Sequence, residues 1–190
     1  MKLIFVRHGQ TIGNATGIYD TSYHGDLSDL GKAQAERLAE RLKVYTFDAI
    51  LCSPAKRTME TILPYLKANH LRAEIWPELF EGIFAGRVEI PDELKPYFYP
   101  REGIEDLVFP LKKDLPNNHE IIQESVDRII ESYGGRECRI LVVGHYHQGG
   151  RFIEAFLGLE MRGRFDHENT GMTSLKEQDG IFRIEYLNRI

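Results

Sequence analysis

Lys2-Leu3-Ile4-Phe5-Val6-Arg7-His8-Gly9-Gln10-Thr11 is the stretch that decides the fold. Leu3 to Val6 form an apolar run of strand length, and the run stops abruptly at Arg-His-Gly before polar loop residues begin. Arg139-Ile140-Leu141-Val142-Val143-Gly144-His145 repeats the arrangement, a mostly apolar strand ending in Gly-His. Two histidines therefore stand at the mouths of two strands, and ligands of open α/β sheets bind outside the carboxyl ends of the strands. One of the two follows an arginine. Imidazole can attack phosphorus and guanidinium pairs with its oxygens, so the pair suggests chemistry on a phosphate.

The 190 residues suit one domain with room for a sizeable core. Apolar, aromatic and charged fractions are those of an ordinary globular chain, which excludes a fibrous repeat or wholesale disorder. A net charge of −5 without a long basic run argues against a general nucleic-acid surface. The N-terminus opens directly on a strand, with no secretory signal pattern. No apolar stretch is long enough to span a bilayer. The two cysteines, Cys52 and Cys138, fall in or beside buried strands as small apolar fillers. A cytoplasmic chain without disulfides or membrane contact is expected.

Outward from the first strand, helices and strands alternate. Ser28 or Asp29 caps a helix whose apolar face is Ala35, Leu38, Ala39 and Leu42. Asp48 to Cys52 reads as a buried strand, and Ser53-Pro54 as the cap and first residue of the next helix, with Pro64 kinking it or ending it soon after. Ala73 to Trp76 is a third strand. From Arg87 to about Asn118, Pro91, Pro96, Pro100, Pro110 and Pro116 interrupt aromatics and charges; a connection of that length is usually functional, and a partly helical cap is expected over 87–118. Ile121, Ile122, Ser125, Val126, Ile129, Ile130 and Tyr133 trace a helical face that Gly134-Gly135 ends. A helix near Gly150 to Leu157 follows the His145 strand. Strands over Thr173–Lys176 and Phe182–Tyr186 flank Asp179-Gly180 as a closing hairpin.

Ser53-Pro54-Ala55-Lys56-Arg57-Thr58-Met59-Glu60-Thr61 puts Arg57 in the first turn of a helix, just beyond another strand's carboxyl end, within reach of the same crevice. With this third element the chain resembles the histidine phosphatase superfamily, also called the phosphoglycerate mutase-like family. The resemblance rests on Arg7-His8-Gly9-Gln10-Thr11 continuing to Asn14, on the Ser-Pro-x-x-Arg-Thr-x-x-Thr run, and on Gly144-His145. Leu27-Ser28-x-x-Gly31-x-x-Gln34-Ala35 and Asn169-Thr170-Gly171-Met172-Thr173 are similar to its first-helix segment and late loop. The likeness runs from residue 3 to about 187 and thins over the cap.

This resemblance implies an α/β fold, a three-layer α/β/α sandwich with a mostly parallel central sheet and a small cap after the third strand, in a single domain over 1–190. It implies that His8 takes the phosphoryl group, with Arg7, Arg57 and a protonated His145 around the phosphate oxygens and Asn14 as a further donor. Phosphoryl transfer requires a positioned nucleophile and fixed positive charge on the equatorial oxygens, which these residues would supply without metal or cofactor. His8 must be neutral at its attacking nitrogen. An alkoxide leaving group needs a proton, and Glu81 in Leu79-Phe80-Glu81-Gly82 matches the family's acid, with Glu78 as its competitor. Beyond Glu81 the chain departs from the family's tryptophan-glutamate-glycine ending. Thr11 and Tyr23 are expected to touch substrate, and His24 is a similar candidate.

His145-Tyr146-His147 carries a rival reading, because alternate residues on a strand face one way and a His-x-His pair can ligate metal. No second histidine pair or Asp-rich cluster accompanies it in the sequence, and His147 is read as a rim residue. Tyr146 and His147 displace the Gly149-Gly150 turn relative to the family pattern. In the cap, Tyr97-Phe98-Tyr99 with Arg101, Lys112 and Lys113 could contact an organic phosphate or could simply pack a lid. Gln10-Thr11 and the compact chain resemble the phosphatase branch, so a metal-independent phosphomonoesterase acting on a small phosphorylated metabolite is expected. Phosphoglycerate mutase chemistry and a silent phospho-ligand scaffold are the alternatives. A homodimer through a sheet edge is compatible with the sequence, which does not require it.

Overall fold

The computed structural model describes residues 1–18, 25–81, 86–87, 89–102, 104, 108–109 and 119–190. Its centre is a seven-stranded sheet. In chain order the elements are β1 (Lys2–Arg7), α1 (Ile12–Thr16), α2 (Asp29–Leu42), β2 (Ala49–Cys52), α3 (Lys56–Asn69), β3 (Ala73–Ile75), β4 (Gly86–Arg87), β5 (Phe98–Pro100), β6 (Val108–Phe109), α4 (His119–Tyr133), β7 (Arg139–Gly144), α5 (Tyr146–Phe156), β8 (Met172–Gln178) and β9 (Ile181–Arg189). The sheet order is β5-β3-β2-β7-β1-β8-β9, parallel from β5 to β1 and antiparallel across β8 and β9.

The period-two alternation of strand side chains divides the core between the faces. Ile4, Val6, Ile50, Cys52, Leu141 and Val143 pack with Leu38, Leu42, Met59, Ile62 and Leu66 of α2 and α3. Leu3, Phe5, Leu51, Ile140 and Val142 pack on the other face with Ile122, Val126 and Ile129 of α4 and Phe152, Ile153 and Phe156 of α5. Each such side chain contributes about 1.5–3 kcal/mol when fully buried, which is why both faces of the central strands are apolar. The result is the expected three-layer α/β/α arrangement.

Local chemistry explains the boundaries. Ser28 caps α2 by accepting from the Gly31 amide. Helix α3 passes through Pro64 and ends at His70, where φ is 54°. It starts at Lys56, two residues later than Ser53-Pro54 suggests, because the Ser53 hydroxyl is engaged by His145 and Ala55 stands at the cap with no capping side chain. The hairpin turn Asp179-Gly180 has both φ values positive, 55° and 74°, as a two-residue type I′ connection requires.

One expectation is corrected. Helix α5 begins at Tyr146, not near Gly150, and Gly149 and Gly150 lie inside it. These glycines answer to packing: a Cβ on Gly149 would lie 2.5 Å from the Phe5 ring, and one on Gly150 would lie 2.7 Å from the Phe165 carbonyl oxygen. The expected partly helical cap over 87–118 falls in part outside the described residues. Its described residues hold turns and strands, and β5 inside it joins the edge of the main sheet beside β3. Phe98 is buried in the core; Tyr99 lies over Arg72 and Tyr97 over Lys67. Lys112 and Lys113 lie outside the described residues. On either side of β5, β4 and β6 form a separate two-stranded antiparallel ladder.

Candidate active site

The adjacent strands β2, β7 and β1 bring Ser53, His145 and His8 together at their carboxyl ends. His8 follows β1 and is 4% exposed, its amide donating to Gly144 O at 3.0 Å. Nδ1 of His8 donates to the Gly9 carbonyl oxygen at 2.7 Å, which leaves the lone pair on Nε2. Burial first, then the nearby guanidinium of Arg57, push the imidazole down to about 3; the Gly9 bond opposes this and Arg7 adds to it. The ring is therefore neutral over the ordinary pH range.

His145, fully buried, caps α5 by position only. Arg57 donates from NH2 to its Nδ1 at 3.1 Å, so the proton sits on Nε2 and is donated to Ser53 Oγ at 2.7 Å. Burial, then Arg57, His8 and Arg7, lower His145 well below the usual imidazole value. A protonated imidazole is thus corrected to a neutral one: Arg57 already contributes the positive charge here, and a second cation against it is unfavourable. The His8 and His145 rings meet edge to face with centroids 5.4 Å apart.

Arg7 ends β1. Its NH1 donates to the His167 carbonyl oxygen at 2.7 Å, and its guanidinium lies 4.8 Å over the Tyr146 ring. Arg57, in the first turn of α3, is linked to the His8 loop by one hydroxyl: Gly9 N donates to Thr61 Oγ1 at 2.9 Å, and Thr61 Oγ1 donates to Arg57 O at 2.6 Å. Gly9 and Gly31 are needed for close approach, since a Cβ on Gly31 would lie 2.0 Å from Gln10 O.

Glu81, which follows β3, reaches the start of α5 beside His145. Its Oε1 accepts from the His147 amide at 2.7 Å and from the Gln148 amide at 3.4 Å, serving the first turn of α5 that His145 leaves uncapped. Its charge also acts on Arg57. Glu78, the competitor, is bound elsewhere, 2.5 Å from the Arg101 guanidinium, which lies over the Trp76 ring. Arg101 is thus held between Glu78 and the Trp76 ring. Asn14 and Thr11 form a reciprocal capping box on α1: Thr11 Oγ1 accepts from Asn14 N, and Asn14 Oδ1 accepts from Thr11 N. The amide oxygen of Asn14 is thereby oriented inward, which leaves its NH2 as the donating end. Tyr23 and His24 lie outside the described residues.

His147 is the second residue of α5 and not part of a strand, so the strand alternation behind a His-x-His metal pair does not apply. Among the described residues no group of three His, Cys, Asp or Glu side chains is placed to hold a metal ion. Cys52, at the end of β2, is buried and its thiol is pushed up to about 12, so it offers no thiolate. Several contributors had no sequence signal of their own. Ser53 reads as a helix cap. Thr61 was visible only as the last residue of the Ser-Pro-x-x-Arg-Thr-x-x-Thr run. His167 and Tyr146 sit in polar stretches. Asn169, whose Nδ2 donates to His8 O at 3.0 Å, was visible only through the late-loop resemblance.

The family model described as the histidine phosphatase superfamily (branch 1) matches residues 3–190. The chain belongs to that superfamily. It is 41% identical over 88 residues to the Schizosaccharomyces pombe protein named Probable phosphatase C1687.21, covering 46% of this chain and 40% of that one. It is 36% identical over 84 residues to the adenosylcobalamin/alpha-ribazole phosphatase of Salmonella typhimurium, covering 44% of this chain and 42% of that one. The matched stretch thus spans less than half the length of either relative. In fold it is similar to the crystal structure of the alpha-ribazole phosphatase from Shigella flexneri, with a TM-score of 0.76, 22% identity, and coverage of 100% of this chain and 96% of that one.

Proposed function

We propose that this protein is a phosphomonoester hydrolase that works through a phosphohistidine on His8 and needs no metal. The observation that carries the reading is the bond from His8 Nδ1 to Gly9 O, which leaves a bare Nε2 on a ring that burial, with the charges of Arg57 and Arg7, keeps neutral. In the first step Nε2 attacks phosphorus, an N–P bond forms and the P–O bond breaks; Glu81 gives its carboxyl proton to the leaving alkoxide. Arg7, Arg57 and the Asn14 amide hold the equatorial oxygens while charge redistributes, with the neutral His145 ring keeping Arg57 in place. In the second step Glu81 takes a proton from water as that water attacks phosphorus, the N–P bond breaks, phosphate leaves and His8 is neutral again.

A small phosphorylated metabolite is the substrate class, supported by the phosphatase names of the relatives. We read the chain as one domain with its cap within 87–118. Free thiols at Cys52 and Cys138 support a cytoplasmic setting, and among the described residues no helix is long and apolar enough to cross a membrane. Phosphate release from a panel of phosphomonoesters after exhaustive chelation, for the parent and for His8→Ala, tests the reading. Release that survives chelation and disappears in the variant supports it. Release abolished by chelation, or phosphoryl isomerisation without net phosphate, overturns it.

A further inference from the structure

Tyr146 is the residue that interrupts the Gly-His and Gly-Gly pattern, and nothing in the reaction above uses it. It is the first residue of α5, half-buried, with Arg7 lying over its ring at 4.8 Å. Its hydroxyl donates to Asp166 Oδ1. Asp166 precedes His167, whose carbonyl oxygen accepts from the NH1 of the same Arg7. The turn carrying both is fixed from below. Glu154 on α5, with its side chain wholly buried, accepts from the amides of Arg162, Gly163 and Arg164 and from the Arg164 guanidinium. The His167 imidazole donates from Nδ1 to Phe165 O at 3.2 Å and accepts on Nε2 from Thr173 Oγ1 at 2.8 Å. One short segment thus grips Arg7 twice, at its edge through a carbonyl and at its face through a ring that the neighbouring carboxylate holds still.

We infer that Tyr146, anchored by Asp166, is a positioning residue that sets the plane of the Arg7 guanidinium for phosphate. The inference rests on the proposed role of Arg7 in phosphate binding. A guanidinium on a flexible side chain would otherwise sample many planes, whereas two parallel N–H bonds to a phosphate require one. The ring excludes water from one face of the cation and attracts it electrostatically. The Asp166 carboxylate, as the strongest influence, also raises the phenol above its ordinary value, which keeps the hydroxyl donating through alkaline pH.

The test is a double-mutant cycle between Tyr146 and Arg7, read by calorimetric binding of inorganic phosphate and by kcat and KM on p-nitrophenyl phosphate. Tyr146→Leu should weaken phosphate about tenfold, the size of a partly desolvated cation–π contact, and raise KM more than it lowers kcat. Tyr146→Phe, which keeps the ring and drops the Asp166 bond, should cost about threefold. Asp166→Asn, which keeps an acceptor for the hydroxyl, should restore most of what Asp166→Ala loses. In an Arg7→Ala background, Tyr146→Leu should have no further effect. An equal loss in both backgrounds, or unchanged phosphate affinity in a folded Tyr146→Leu protein, overturns the inference. If Tyr146→Leu does not fold, the Tyr146→Phe and Asp166 variants decide it alone. A parent that binds no phosphate overturns the functional reading and this inference together, whereas a parent that binds and hydrolyses while the cycle is additive overturns only the inference.

Discussion

The two ends of the central strands are built on opposite electrostatic plans. At the amino ends of β1 and β7 a hollow is lined by both signs together, Lys2, Arg136, Arg139 and Lys176 among Asp48, Glu137 and Glu177. There Lys2 meets Glu185 at 3.0 Å with both side chains about a third exposed, and Asp48 accepts from the Arg139 amide. At the carboxyl ends Arg57 donates to an uncharged imidazole nitrogen and Arg7 to a carbonyl oxygen. The field there is positive enough to lower both His8 and His145 beyond what burial does. Charge that balances itself stabilises a surface weakly; at the carboxyl ends Arg57, with Glu81 acting on it, and Arg7 still leave a positive field that favours an anion.

This contrast can be broken at several points. The largest effect is expected for His8→Ala, which should lower kcat on the order of 10⁴-fold or more while leaving the fold intact, measured by steady-state phosphate release and circular dichroism. Arg57→Ala should reduce kcat/KM by about 10²–10³-fold, the loss typical of one transition-state donor. It should also raise the titration of His145, since Arg57 is the largest charge lowering it, and imidazole NMR would register that shift. Gly31→Ala forces a methyl group against Gln10 O and should destabilise the protein by about 3 kcal/mol, read by urea denaturation.

Acid sharpens the comparison further. The folded protein keeps His8 unprotonated down to about 3 and His167 down to about 4, whereas the unfolded chain protonates both near the ordinary imidazole value. The unfolded state therefore binds more protons in that window, and stability falls as pH drops from the unfolded value toward the folded ones. Each group contributes a slope of at most about 1.4 kcal/mol per pH unit. Denaturant midpoints between pH 7 and pH 4 would measure it, and His167→Asn should remove one group's share. The smallest effect belongs to the amino ends: Lys2→Gln should change stability by less than about 1 kcal/mol and leave activity unaltered. A large loss of activity there would mean that the two ends are coupled.

What the sequence made legible follows the same division. The strand mouths could be read because a buried strand that stops at Arg-His or Gly-His violates the apolar pattern in a place where side chains converge. Arg57 could be read because a helix start beyond a strand end points into the crevice. Helix α5 was misplaced because Gly149 and Gly150 look like a terminus, while their actual cause, the Phe5 ring and the Phe165 carbonyl, lies far away in the chain. Strand β5 was hidden among prolines because an edge strand tolerates a residue without an N–H, and Pro100 is its last residue. The neutral state of His145 was not legible at all. It depends on which nitrogen faces Arg57, a fact of three-dimensional contact alone.

The strand order has a consequence for how the protein comes into being. β1 lies between β7 and β8, so its neighbours belong to the last third of the chain. While the polypeptide is being made, Leu3 to Val6 have nothing to pair with, and an unpaired apolar strand invites association with other nascent chains. Closure of these distant pairings also makes for slow folding, because the loop entropy precedes the reward. A product cut anywhere before Gly144-His145 would hold His8 without the full β7 strand and the second histidine that complete its surroundings.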